Sequence, residues 1–216
     1  MKRHLWPLTV LAVAAGSTGC LVKETTHRIY LSPSGAVAWT VLEEGVRSDE
    51  KDLTRRSNEE RVWLDQIAMD THAVAEGLRR LGSDDASTRL LRLERPYMAL
   101  TDARFTRVDR VISRLFEELG LRGEAAFEAD GAGATLSVSL DLSSLDDPGS
   151  DTESPVTALL EDLDRYRFTL TDGHFVAASG FDIVEDGTAA TLQEMPPEML
   201  EAGVLKLQLA WSVTRR

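Results

Sequence analysis

The spacing of apolar positions changes period several times along the chain, and each change marks an element. His27 to Leu31 and Ala36 to Leu42 are rich in β-forming residues, with Ser32-Pro33-Ser34-Gly35 between them; that is turn chemistry, and it predicts a β-hairpin. Residues 43–56 are charged and read as a loop. From Ser57 the period becomes helical: Leu64, Ile67, Ala68, Thr71, Val74, Ala75 and Leu78 share one face of a helix spanning about 57–81. Ser57 and Glu60 have capping-box spacing at its start, and Gly82 is a stop at its end.

Two strands, 88–94 and 97–105, are predicted on either side of Arg95-Pro96, and a second helix follows at about 107–119. Thr106 and Asp109 give that helix another capping box, Val108, Val111, Ile112, Leu115, Phe116 and Leu119 recur at three and four, and Gly120 stops it. A second hairpin runs over 124–128 and 134–142 around Asp130-Gly131-Ala132-Gly133. There Leu136, Val138, Leu140 and Leu142 alternate with polar residues, the pattern of a strand with one buried face. Ser154-Pro155 opens a short helix to Asp164 with proline at its favoured first position. Strands at 166–171, 174–179, 181–184 and 188–192 are punctuated by Asp172-Gly173 and Asp186-Gly187. A helical turn at 196–200 and a strand from Val204 to Val213 complete the pattern. Hairpins interrupted by helices, without regular βαβ units, predict an α+β fold: a mostly antiparallel sheet with the two main helices packed on one side. No residue-level repeat is present.

The first twenty residues belong to a different pattern. Lys2, Arg3 and His4 precede an apolar run from Leu5 to Ala15 that contains Pro7, and small residues lead from it to Cys20, the one cysteine of the chain. This is the layout of a signal peptide. The run is about half of the roughly 20 residues a spanning helix needs. Ser17-Thr18-Gly19-Cys20 resembles the lipobox of bacterial lipoproteins, with Gly19 and Cys20 in place and Ser17 where that family usually carries Leu. The resemblance implies removal of residues 1–19, cleavage between Gly19 and Cys20, a diacylglycerol thioether on Cys20 and an acyl chain, such as palmitate, on the new amino terminus. Two or more chains anchor stably where one is marginal. Residues 20–26 would then form a short tether reaching about 20 Å at most, and 27–216 a single α+β domain at the periplasmic membrane surface. Leu21 stands where an Asp would mark inner-membrane retention, so the resemblance favours the outer membrane.

Composition narrows the function. The formal charge is −12, from 24 basic and 36 acidic residues; loss of Lys2 and Arg3 with the leader takes it to −14. Such a surface repels phosphate backbones, so nucleic acid is not an expected partner. His27, His72 and His174 fall in separate elements, and none has a neighbour at zinc-ligand spacing. No G-x-S-x-G elbow, Walker loop or G-x-G-x-x-G turn occurs. The glycines of Asp130-Gly131-Ala132-Gly133 join two strands and lack the helix amino terminus that phosphate binding uses. The acidic stretch 141–153, with Asp141, Asp146, Asp147, Asp151 and Glu153, lacks the spacing of an EF-hand and reads as a solvated loop, with Ca²⁺ as the other possibility. Carboxylate pairs such as Asp84-Asp85, Asp146-Asp147 and Glu117-Glu118 cannot be placed across a cleft from sequence. Trp39, Trp63 and Trp211 lie within periodic stretches and read as core. Arg89, Arg92, Arg95, Arg104, Arg107, Arg110 and Arg114 form a basic band expected to be salt-bridged or to meet anionic lipid or an acidic partner.

The expectation is a lipid-anchored, non-enzymatic binding or scaffold module of the cell envelope, without cofactor or metal, engaging the membrane through Cys20 and an envelope protein or apolar ligand. A carrier or sensor of an apolar ligand is the alternative, marked by a continuous apolar cavity of a few hundred cubic ångströms and counted against by a filled core. A carboxylate- or metal-dependent hydrolase, marked by convergent acids in a cleft, stands behind it.

Overall fold

Alternation with a period of two builds the larger of two sheets. In the computed structural model, which describes residues 21–142, 166–193 and 203–212, strand β1 (Leu21–Leu31) pairs antiparallel with β2 (Val37–Ser48), setting Thr25 beside Glu43, His27 beside Val41, Ile29 beside Trp39 and Leu31 beside Val37. On the far side of β2, β4 (Tyr97–Phe105) sets Ala99, Thr101, Ala103 and Phe105 beside Glu43, Val41, Trp39 and Val37. All of these side chains are buried and share one face, as strand pleating requires. The order of this seven-stranded sheet is β3-β4-β2-β1-β7-β10-β9, with β3 at Ser87–Arg92, β7 at Tyr166–Leu170, β9 at Phe181–Val184 and β10 at Ala189–Leu192. The β1–β7 pair is parallel and its other pairs are antiparallel.

The second sheet has four strands, β5 (Arg122–Ala129), β6 (Gly133–Asp141), β11 (Val204–Ser212) and β8 (His174–Ser179), in the order β5-β6-β11-β8 and antiparallel throughout. Its inner residues Leu136, Leu209, Trp211 and Phe175 join Ile29, Leu31, Trp39, Leu170 and Ala190 of the larger sheet in one buried cluster. The α+β class and the antiparallel bias therefore hold, but the single sheet expected from the hairpins is two. The physical reason lies at Asp172-Gly173: this turn joins β7 to β8 without pairing them, and the two strands go to different sheets. A DG dipeptide encodes a reversal and says nothing about which neighbour a strand then finds.

Among the described residues there are three α-helices: α1 (Leu53–Ala68) and α2 (Ala73–Arg80), which pack on the larger sheet, and α3 (Val108–Glu118), which packs against β5 of the smaller. α1 and α2 replace the one helix expected over 57–81. The chain leaves the helix at Met69–His72, where Asp70 takes a positive φ of 57°, and Arg79 closes the break by donating to the Asp70 carbonyl and the Ala86 carbonyl. The break carries His72 into the interior at 2% exposure and turns Met69 outward at 72%. Neither expected capping box forms. Asp52 caps α1 by accepting from the amides of Thr54 and Arg55, while Glu60 is buried and accepts instead from the Ser48 amide and from Arg95. Arg107, not Thr106, is the cap position of α3, and its guanidinium binds the Asp109 carboxylate. Gly82, at φ +100°, ends α2 as its sequence position suggests.

β1 begins at Leu21, so residues 21–26, expected to be tether, belong to the sheet. Lys23 and Glu24 hide this extension from a hydrophobicity reading, yet Leu21 packs against the cluster of Val46, Trp63, Ile67 and Ala99 beneath α1. The helix expected at 154–164, the turn at 196–200 and the loop at 143–153 lie outside the described residues.

Candidate functional site

Two interior features differ from ordinary core. The first is an apolar cavity between the sheets. α3 lies along it with Val108, Val111, Ile112, Leu115 and Phe116; the larger sheet contributes Ile29, Val37, Trp39, Tyr166, Phe168, Phe181 and Leu192; the smaller contributes Leu136, Val138, Leu140, Leu205 and Leu207. The 3.6-residue stripe of α3 and the alternation of β6, both legible in the sequence, thus converge on one space. Its volume is about 140 Å³. Ligand pockets for drug-sized molecules run to about 300–1,000 Å³, whereas an engineered void of about 150 Å³ lined by Leu, Ile and Phe stays dry and takes benzene. The space matches one ring or a short run of methylenes, not a whole lipid. Among the described residues that line it, the phenol of Tyr166 is the one ionisable group. At its margin Tyr166 stacks on buried His27 with ring centroids 4.8 Å apart, and the Trp39 indole N–H donates to His27 Nδ1 at 3.1 Å.

The second feature is a buried polar chain under α1 and α2. Glu43, from β2, is fully buried; its Oε1 meets the Lys23 ammonium, and its Oε2 lies 3.2 Å from His72 Nε2. That second contact is close but misaligned, because Oε2 lacks a directed hydrogen bond. On the other side of the ring, His72 Nδ1 lies 3.2 Å from the Thr88 hydroxyl, which is 2.8 Å from the hydroxyl of Thr101. With the proton on Nε2 facing the carboxylate, Nδ1 accepts from Thr88, and Thr88 oxygen accepts from Thr101. Burial pushes the His72 pKa below its usual value; the nearby Glu43 carboxylate pulls it back, and Lys23 adds to the lowering. The order hydroxyl, imidazole, carboxylate resembles a nucleophile triad, but Thr101, Glu43 and His72 are all buried and Trp63 closes edge-on over the ring at 5.8 Å. The chain leaves no approach for a substrate to His72 or Glu43.

The residues singled out in the sequence distribute as follows. Gly19 and Cys20 lie outside the described residues, immediately before β1. His72 and His27 are core, and His174 is exposed on β8. Among the described residues, no group of three His, Cys, Asp or Glu side chains is arranged to hold a metal ion, and no helix is long and apolar enough to cross a membrane. Asp130 makes its turn by accepting from the amides of Ala132 and Gly133, which hold its carboxyl below the usual range. Much of the arginine band is paired: Arg89 with Asp102, Arg95 with Glu60, Arg104 with Asp85 and Arg107 with Asp109. Glu118 binds Arg80, and Asp146 and Asp147 lie outside the described residues. Glu43 was missed. It sits in an alternating strand where an apolar residue is the ordinary occupant, and the signal that could have found it is that Val37, Trp39 and Val41 precede it at a spacing of two.

No family model matches the chain, and no curated protein matches it. A solved structure, the NMR structure of the folded domain of the Mycobacterium tuberculosis LppM protein, is similar at a TM-score of 0.37 and 11% identity, over 89% of this chain and 91% of that one. At that score the likeness does not establish a shared fold.

Proposed function

We propose that the protein is a lipid-anchored, non-enzymatic binding module of the bacterial cell envelope, held at the membrane by Cys20 and offering the space between its sheets to a small apolar group. The anchor is supported by the signal-peptide layout and by the lipobox-like Ser17-Thr18-Gly19-Cys20; Leu21 after the cysteine favours the outer membrane. The observation that carries the binding reading is the cavity, whose described lining residues are all apolar or aromatic. Its 140 Å³ supports a ligand that inserts one ring or chain end, in place of a carrier that engulfs a whole lipid.

The anchor is tested by mass analysis of the amino-terminal peptide from membrane fractions of the wild type and of Cys20→Ser. The expected result is a lipid-modified peptide beginning at Cys20, with membrane association lost in the variant. An unmodified thiol, or cleavage at another bond, overturns the anchor.

A further inference from the structure

The end of the seven-stranded sheet at which β1 starts has a surface unlike the rest of this acidic chain. Leu21 pairs with Ser48, and Val46 with Tyr97, so the segment leading into α1 and the loop before β4 emerge at the same end as Leu21. Arg95 ties that loop down by donating Nη2 to the Ser48 carbonyl at 3.1 Å and Nε to Glu60 at 2.7 Å. At this end two leucines face water, Leu53 at 72% exposure and Leu93 at 77%. Around them Arg47, Lys51, Arg55 and Arg92 are exposed. Residues 47–56 and 92–95, with Glu59 and Glu60 that bind Ser48 and Arg95 there, carry six basic and six acidic side chains, a locally neutral end in a chain of −12.

We infer that this end is the membrane-facing surface of the protein, with Leu53 and Leu93 seated at the boundary of head groups and acyl chains of an anionic bilayer. The inference rests on the anchor proposed above: Cys20 is one peptide bond from Leu21, so its lipid leaves the domain within about 4 Å of the strand end. Apolar tips flanked by Arg and Lys suit an interface, since leucine gains by leaving water while the long cationic stems keep their charges among lipid phosphates. A locally neutral end also avoids the repulsion that the remaining acidic surface would meet there. Leu21 is part of β1, so the contact is short and geometrically defined, not the sweep of a tether.

The test uses the full-length mature protein reconstituted in vesicles. If Cys20 carries lipid, a cysteine introduced elsewhere is the one free thiol, so Leu53→Cys, Leu93→Cys and, on the opposite sheet, Val176→Cys can each take an environment-sensitive dye. With brominated lipids in vesicles of phosphatidylcholine and phosphatidylglycerol, dye at Leu53 and Leu93 is expected to be quenched at least twofold and dye at Val176 to be unchanged. Lys51→Glu with Arg92→Glu should reduce the quenching. Flotation with the vesicles and the mass of the amino-terminal peptide are read in every sample. Flotation of lipidated protein without quenching at Leu53 and Leu93 overturns the inference while the anchor stands, and leaves this end to a protein partner. An unmodified Cys20 without flotation overturns the anchor itself and the membrane assignment with it.

Discussion

Filling the cavity between the sheets gives the most direct measure of whether it binds anything. At about 24 cal/mol per Å³ of closed void, a 140 Å³ space that is partly open to solvent holds back at most about 3.4 kcal/mol of packing free energy. A ligand that recovered all of it would bind with a dissociation constant of about 3 mM. At about 10 mM, a single-ring aromatic such as benzene should therefore stabilise the fold by up to about 0.9 kcal/mol and raise the melting temperature by up to about 2–4 °C. In methyl NMR spectra, the same titration should move Val111, Ile112, Val138 and Leu207, which line the space, and leave Val176 unmoved. Ile112→Phe places a ring in the void from α3. It should abolish both the thermal shift and the methyl shifts, with its own stability within about 1–3 kcal/mol of wild type according to how the ring packs. Benzene-induced shifts that persist undiminished in Ile112→Phe, or that never appear at Val138 and Leu207, would refute the assignment of this cavity as a binding site.

Leu209→Ala, at a fully buried position of β11 between β6 and β8, should cost about 2–5 kcal/mol, read as a lower urea midpoint at unchanged slope. Gly123→Ala would put a Cβ 2.6 Å from the Phe116 ring and 2.8 Å from the Ser139 carbonyl; a loss of about 1–3 kcal/mol is expected, and a double mutant with Phe116→Leu should recover part of it, since the two sites touch. Because burial holds His72 below its unfolded value near 6.5, the unfolded chain binds a proton that the folded chain refuses. Stability should therefore be full above about pH 7 and fall as pH drops through 6.5, with a slope of up to about 1.4 kcal/mol per pH unit from this residue. Urea unfolding from pH 7.5 to 5.5 should show a flatter dependence for His72→Gln than for wild type, and equal slopes would remove His72 as the cause.

Local features of the fold were open to reading because they depend on neighbours in the chain. The hairpin at Ser32–Gly35, the alternation of Leu136, Val138 and Leu140, the stripe of α3 and the stop at Gly82 are each encoded within about ten residues of sequence. Elements failed to match where a distant partner outweighed the local signal. Glu60 has capping-box spacing from Ser57, yet Ser48 and Arg95 take it; the stripe from Leu64 to Leu78 continues in phase, yet the chain breaks at Asp70 so that His72 can reach Glu43 and Thr88. Lys23 reads as solvent-facing and hides the start of β1, whereas its ammonium is held by a buried carboxylate from the next strand.

The sequence alone determined the class of the fold, the apolar faces that build its core and the expectation of an anchor at Cys20, since these are set by periodicity, turn residues and a short motif. Tertiary structure alone decided that β7 and β8 part into two sheets, that α3 and both sheets line an apolar space, that Glu43 and His72 meet in the interior, and that the segments carrying Leu53 and Leu93 leave the sheet at the end where β1 starts. Each of those depends on which strands and loops come together across long stretches of chain, and a local pattern carries no information about a partner it does not touch.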